Sequence, residues 1–180
     1  ARCAELREAG HEDDIRARTG LLLDPYFSAT KLEWLLRDPL LRERAEAGTL
    51  RVGTVESWLV ARLTGGLHLS DPTNSSRTML AALATGEWDP WLLALFGVPR
   101  GVLPTIVPSA GVVGHAKAEW FGRPIPIAGL AGDQQAALFG QGCVTPGSAK
   151  ITYGTGAFLL RHAGTIGPEK RLQSRVEWQS

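Results

Sequence analysis

Cysteine, methionine and histidine are scarce in this chain, and each shortage closes off a class of chemistry. Among 180 residues there are 2 Cys, 1 Met and 4 His. Cys3 and Cys143 stand alone and far apart, which leaves neither a disulfide framework nor a thiolate metal site, and a reducing cytoplasm is the expected setting. His11, His68, His115 and His162 are scattered, with no two at ligand spacing, and are expected on the surface or in packing. Surplus charge is missing too. The 19 Lys and Arg against 18 Asp and Glu leave a net charge of +1, so there is no electrostatic basis for binding nucleic acid or a membrane. No apolar run approaches the ~20 residues of a membrane-spanning helix, and no signal-peptide pattern is read at the start. No internal repeat or low-complexity stretch is evident.

What is present suits a globular domain. Hydrophobic residues make up 44% and charged residues 21%, in a chain long enough to bury a core. Residues 2–18 read as one helix with apolar points at Leu6 and Ile15, ended by Gly20. Asp24-Pro25 signals a turn, and Ser28 is a candidate N-cap for a helix carrying Leu32, Trp34, Leu35 and Leu36. Residues 40–47 form a charged helix closed by Gly48. Thr54 is placed as the cap of a helix over 55–63 with Trp58, Leu59 and Leu63 on its apolar face. Residues 67–77 read as extended chain and loop, and 78–84 as a short helix. Asp89-Pro90 opens another helix, with Trp91, Leu92, Leu95 and Phe96. Prolines and glycines over 98–124 point to connections around short strands. A buried strand is expected over 124–129, a helix over 133–140 and two strands over 149–160, joined at Tyr153-Gly-Thr-Gly156 with Gly154 and Gly156 free to take positive φ. Strands interleaved with helices make this an α/β chain.

The stretch with most chemistry in it is Ile125-Pro-Ile-Ala-Gly-Leu-Ala-Gly-Asp133-Gln134-Gln135-Ala-Ala-Leu-Phe-Gly-Gln141. An apolar run gives way to small residues, then to a carboxylate and an amide at the start of a helix. Small residues let a ligand approach closely, and a carboxylate there is placed to accept a proton from a bound hydroxyl. The simpler alternative is that Asp133 only caps the helix. Tyr26, on the loop after Asp24-Pro25, has a ring to flank a carbon chain and a hydroxyl to hydrogen-bond an oxygen; its simpler alternative is a half-buried core tyrosine. Thr155, between Gly154 and Gly156 at a hairpin tip, belongs to a turn whose backbone N–H groups suit an anion, though most such triplets are plain turns. Lys31 and Arg77 read as structural, with Arg77 paired to a carboxylate such as Asp71; Phe27 and Trp34 read as packing.

These strings resemble the glycerol kinase branch of the FGGY carbohydrate kinases. Beside the Asp133 motif, the resemblance runs through Thr19-Gly20-Leu-Leu-Leu-Asp-Pro25-Tyr26-Phe27-Ser28-Ala-Thr-Lys31-Leu-Glu-Trp34-Leu, Gly53-Thr-Val-Glu-Ser-Trp58-Leu, Asp71-Pro-Thr-Asn74-Ser-Ser-Arg77-Thr-Met-Leu80 and Ala149-Lys-Ile-Thr-Tyr153-Gly154-Thr155-Gly156. It implies an incomplete actin-like, ribonuclease-H-like ATPase fold of two domains around a cleft. Residues 1–144 would be the later part of the first domain, on the polyol side. Residues 145–166 would be the phosphate-binding hairpin that opens the second domain, and 167–180 a divergent tail. It further implies ATP-dependent phosphorylation of glycerol to sn-glycerol 3-phosphate with Mg²⁺. Asp133 would be the base, Tyr26 and Gln134 polyol contacts, and Thr155, with Gly154 and Gly156, a phosphate contact. A homo-oligomer is implied for the full-length protein.

The chain does not open on Met and begins within a helical pattern, so an internal piece of a longer kinase is expected. The family's Asp-x-Gly-Thr-Thr phosphate loop and its glycerol-gripping Arg-Glu pair would lie upstream, and its adenine pocket downstream; an isolated chain is then expected to be inactive. Some relatives carry a phosphorylatable histidine in the loop before Trp120-Phe121-Gly122, and Glu119 stands in that place here. A kinase for another polyol or a ketose, and a non-catalytic remnant, are the alternatives.

Overall fold

A computed structural model of the chain describes residues 1–154 and 156–164. The first helices are α1 (Arg2–Glu8), α2 (Glu12–Thr19), α3 (Ser28–Leu35), α4 (Pro39–Glu46) and α5 (Val55–Thr64). After them come β1 (Leu69–Ser70), α6 (Pro72–Ser75), α7 (Pro90–Leu95), β2 (Thr105–Ile106) and β3 (Ala110–Ala116). The remainder is α8 (Ala118–Phe121), β4 (Ile125–Gly129), α9 (Asp133–Gly140), β5 (Ala149–Tyr153) and β6 (Ala157–Arg161). Strand β1 pairs parallel with β2; β3 with β4 and β5 with β6 are antiparallel pairs. The chain is thus α/β, with three two-stranded sheets among the described residues.

The main core is built from both helices and the loops between them. Leu6, Ile15, Leu21, Leu23, Phe27, Leu36, Met79, Leu80, Leu92, Phe96 and Val102 form one buried cluster. At about 25 cal/mol per Å² of apolar surface, side chains of this size each contribute roughly 1.5–3 kcal/mol on burial. A second, smaller cluster of Leu138, Cys143 and Leu160 packs α9 on β6. Cys3 and Cys143 are both free and buried.

Several expected elements are revised. The helix over 2–18 is two helices, because Gly10 takes φ +81° and turns the chain. Its N–H donates to Arg7 O and that of His11 to Leu6 O, each at 2.9 Å, which closes α1 with a Schellman pair of bonds. Ser28 is the first helical residue rather than the cap, and forms no capping bond; the Ala29 N–H instead donates to Thr78 O. No helix forms over 78–84: Met79 sits at φ +63°, which ends helical continuity, and Ala81 bridges to Trp88. Thr54 does hold the N-cap position of α5, but its hydroxyl donates to Glu56 rather than to the helix. On α5 the buried residues are Ser57 and Val60, while Trp58, Leu59 and Val55 face solvent; Trp34 is likewise 67% exposed rather than packed. Strand β4, expected to be buried, has no buried residue: among the described strands it pairs only with β3, and Ile125 and Ile127 are half-buried.

Candidate active site

Segment 71–77 organises the site. Asp71 caps α6 by accepting from the N–H groups of Thr73 and Asn74, and Pro72 at the first helical position needs no donor partner. Asp71 is wholly buried, and its carboxylate also accepts from the hydroxyls of Thr73 and Ser109, the latter at 2.6 Å, and from the Asn74 amide. A buried carboxylate is tolerated where donors surround it. Among the described bonds none joins Arg77 to Asp71, the carboxylate named as an example for its pairing. The Arg77 guanidinium lies 4.7 Å from the Phe27 ring centroid and 5.7 Å from that of Tyr26, and burial lowers its pKa.

From this segment two arms reach the residues singled out in the sequence. One arm is Thr73, whose hydroxyl oxygen accepts the Gly132 N–H at 2.7 Å. Gly132 is the N-cap of α9 and Asp133 its first residue, so this bond fixes where the Asp133 backbone begins. Gly132 also lies close to Gln135: a Cβ there would stand 2.8 Å from Gln135 Oε1, which would have to move. Gln135 is buried, with Nε2 unpartnered among the described residues. The other arm is Arg77 against the Tyr26 ring. Lys31 approaches that ring from its own helix at 5.9 Å and donates to Tyr26 O, and Phe27 meets it edge-on.

Asp133 is exposed and makes no capping bond; Gly132 holds the cap position. Its carboxylate is therefore not consumed by the helix, and it accepts only from Gln134 Nε2, at 3.2 Å, among the described bonds. Tyr26 is 69% exposed rather than half-buried in the core. Gln134 Oε1 accepts from Lys150 on β5, and β5 leads to the hairpin tip. At that tip the Gly154 N–H donates to Gly156 O at 2.9 Å, so it is already engaged, and Gly154 does not use the positive φ open to it. Thr155 lies outside the described residues.

A carboxyl absent from the sequence reading lies behind the network. Glu56 accepts from Thr54 and Ser70 hydroxyls and from the Asp71 N–H. Burial pushes its pKa up to about 7, against the pull of these donors and with the Asp71 charge adding to the rise. The signal in the sequence was its place beside Trp58 in a motif string; nothing local marked it as buried. A cavity of about 160 Å³ lies between α3 and β1 and is lined by Ser28, Lys31, Thr54, Ser70, Thr78 and Trp88 among others. It borders the partners of Glu56 and holds no residue of α9 or of the β5–β6 hairpin, so proximity to a cavity is not what singles out Asp133. Glu119 is exposed on α8, 3.7 Å from the Lys117 ammonium.

The N-terminal domain of the FGGY family of carbohydrate kinases matches residues 1–140. A glycerol kinase of Alkalilimnicola ehrlichii is 56% identical over 181 residues, covering 98% of this chain and 37% of the relative. One of Rhodospirillum rubrum is 55% identical, covering 96% of this chain and 35% of that protein. This chain therefore spans about a third of the length of such curated relatives. Among solved structures, Plasmodium falciparum glycerol kinase with ADP superposes with a TM-score of 0.82 at 37% identity, over 89% of this chain and 33% of that one. A Rhodospirillum rubrum xylulose kinase superposes with a TM-score of 0.81 at 25% identity, over 95% of this chain and 35% of that one.

Proposed function

Because this chain belongs to the FGGY family of carbohydrate kinases and has part of that family's actin-like ATPase fold, we propose that it supplies the polyol side of an ATP-dependent glycerol kinase. The observation that carries the reading is the uncommitted carboxylate of Asp133, anchored through Gly132 to a buried network and exposed at a helix start. Transfer is in-line: a glycerol hydroxyl oxygen bonds to the γ-phosphorus of ATP, the bond from that phosphorus to the β,γ-bridging oxygen breaks, and ADP leaves. The hydroxyl proton passes to Asp133 as the new bond forms, which an ordinary carboxylate accepts late in the step. Gln134 and Tyr26 orient the polyol, and Thr155, with Gly154 and Gly156, would contact phosphate. Mg²⁺ would neutralise the phosphates.

In this reading residues 1–144 belong to the first domain of the kinase, 145–166 to the start of the second and 167–180 to a divergent tail. The working enzyme is a cytoplasmic homo-oligomer, and this chain does not turn over alone. The test is a chimera in which this chain replaces its counterpart in the Alkalilimnicola ehrlichii relative. It should phosphorylate glycerol, and Asp133→Asn should lower kcat by at least about 10²-fold, the scale of general-base loss. Preference for a ketose such as xylulose would move the reading to another sugar kinase. Full activity of Asp133→Asn would remove the proposed base.

A further inference from the structure

The least expected charge in this chain is Lys150. Lysine is seldom fully buried without a charged partner. Yet Lys150 is 3% exposed on β5, and no ion pair among the described residues includes it. Its ammonium donates to two neutral oxygens, Thr152 Oγ1 at 2.6 Å and Gln134 Oε1.

The amide of Gln134 has one accepting end and one donating end, and its surroundings allow only one orientation. Lys150 offers donors alone, so it requires the oxygen. On the other side the carboxylate of Asp133 offers acceptors alone, and it takes the NH₂ at 3.2 Å. A flipped amide would set NH₂ against an ammonium and oxygen against a carboxylate, losing both bonds and adding two repulsions. We propose that Lys150 is a positioning residue of the polyol site. It locks the Gln134 amide, so that Asp133 and Gln134 present one fixed pattern of donors and acceptors to a substrate hydroxyl. Because β5 also leads to the turn at Gly154, the same side chain ties the phosphate hairpin to the start of α9. This inference rests on the reading of Asp133 and Gln134 as polyol residues.

A double-mutant cycle in the chimera tests it, with Lys150→Met, Gln134→Met and the pair together. The expected result is that Lys150→Met raises the KM for glycerol about tenfold and leaves the KM for ATP unchanged, the scale of one well-placed hydrogen bond. The double variant should match Gln134→Met within about twofold, since residues acting through one another are not additive. If the two losses instead multiply, or if Lys150→Met changes only the thermal midpoint, Lys150 is structural and the inference falls while the site stands. If Gln134→Met leaves glycerol kinetics untouched, the polyol reading of Gln134 falls, and this inference with it. Should Lys150→Met not fold, the same cycle run with Lys150→Gln decides the question.

Discussion

Thr73 shows how much one small side chain settles. Its hydroxyl donates to Asp71 and accepts from Gly132, and it is wholly buried. Valine keeps its shape and removes both bonds, leaving the half-buried Gly132 N–H without this partner. Thr73→Val should therefore destabilise the chain by about 1–3 kcal/mol in urea unfolding, with Thr73→Ser nearly neutral; equal behaviour of the two would show that the hydroxyl is not the cause. Glu56 makes a pH prediction. Its folded pKa is raised from 4.5 to about 7, so the unfolded chain releases this proton first. Between these two values stability falls as pH rises, and above the upper one the penalty is constant. In Glu56→Gln this contribution to the slope of thermal midpoint against pH should vanish; an unchanged slope would locate the titration elsewhere. Motif strings carry Asp133, Gln134, Tyr26, Thr73 and Glu56 alike, and local chemistry singled out the first three as candidates. The buried bonds of Thr73, Ser109 and Glu56 were not legible, because a hydroxyl or a carboxyl finds its partners up to 59 positions away.

Elements were legible where local signals agree. Asp38-Pro39 and Asp89-Pro90 each place an accepting side chain before a residue with no N–H, and each starts a helix; Asp71-Pro72 carries the same signal and starts α6, although 67–77 was expected as extended chain and loop. The break between α1 and α2 was missed because Gly10 sits in an otherwise continuous charged pattern, where a single glycine is tolerated in a helix. Its left-handed φ makes Gly10→Ala costly, about 1–2 kcal/mol, and circular dichroism melts should show a lower midpoint; an unchanged midpoint would mean that the turn adapts without strain. The missing helix over 78–84 has a different origin. Thr78 O receives the Ala29 N–H, Asp89 N–H donates to Leu80 O, and the buried Met79 is held at positive φ between these ties. Long-range bonds outweighed helix propensity there.

At the scale of the whole molecule, a large share of apolar surface faces outward. Trp34, Trp58, Phe158, Leu159 and Ile151 are all 47% exposed or more. Exposed apolar side chains in such number should bind a hydrophobic dye and promote self-association; a monomer that leaves the dye dark would mean that these side chains find cover in solution. The sequence by itself determined the α/β class, most helix starts, the main helical core points Leu6 and Ile15, and the family, because these depend on local pattern and on strings of residue identity. Tertiary structure alone decided which carboxylates are surrounded by donors, that Asp133 is left uncapped, that Arg77 lies on rings, and that Lys150 reaches Gln134. Each of those outcomes depends on distance and burial between residues remote in the chain, and local pattern carries no measure of either.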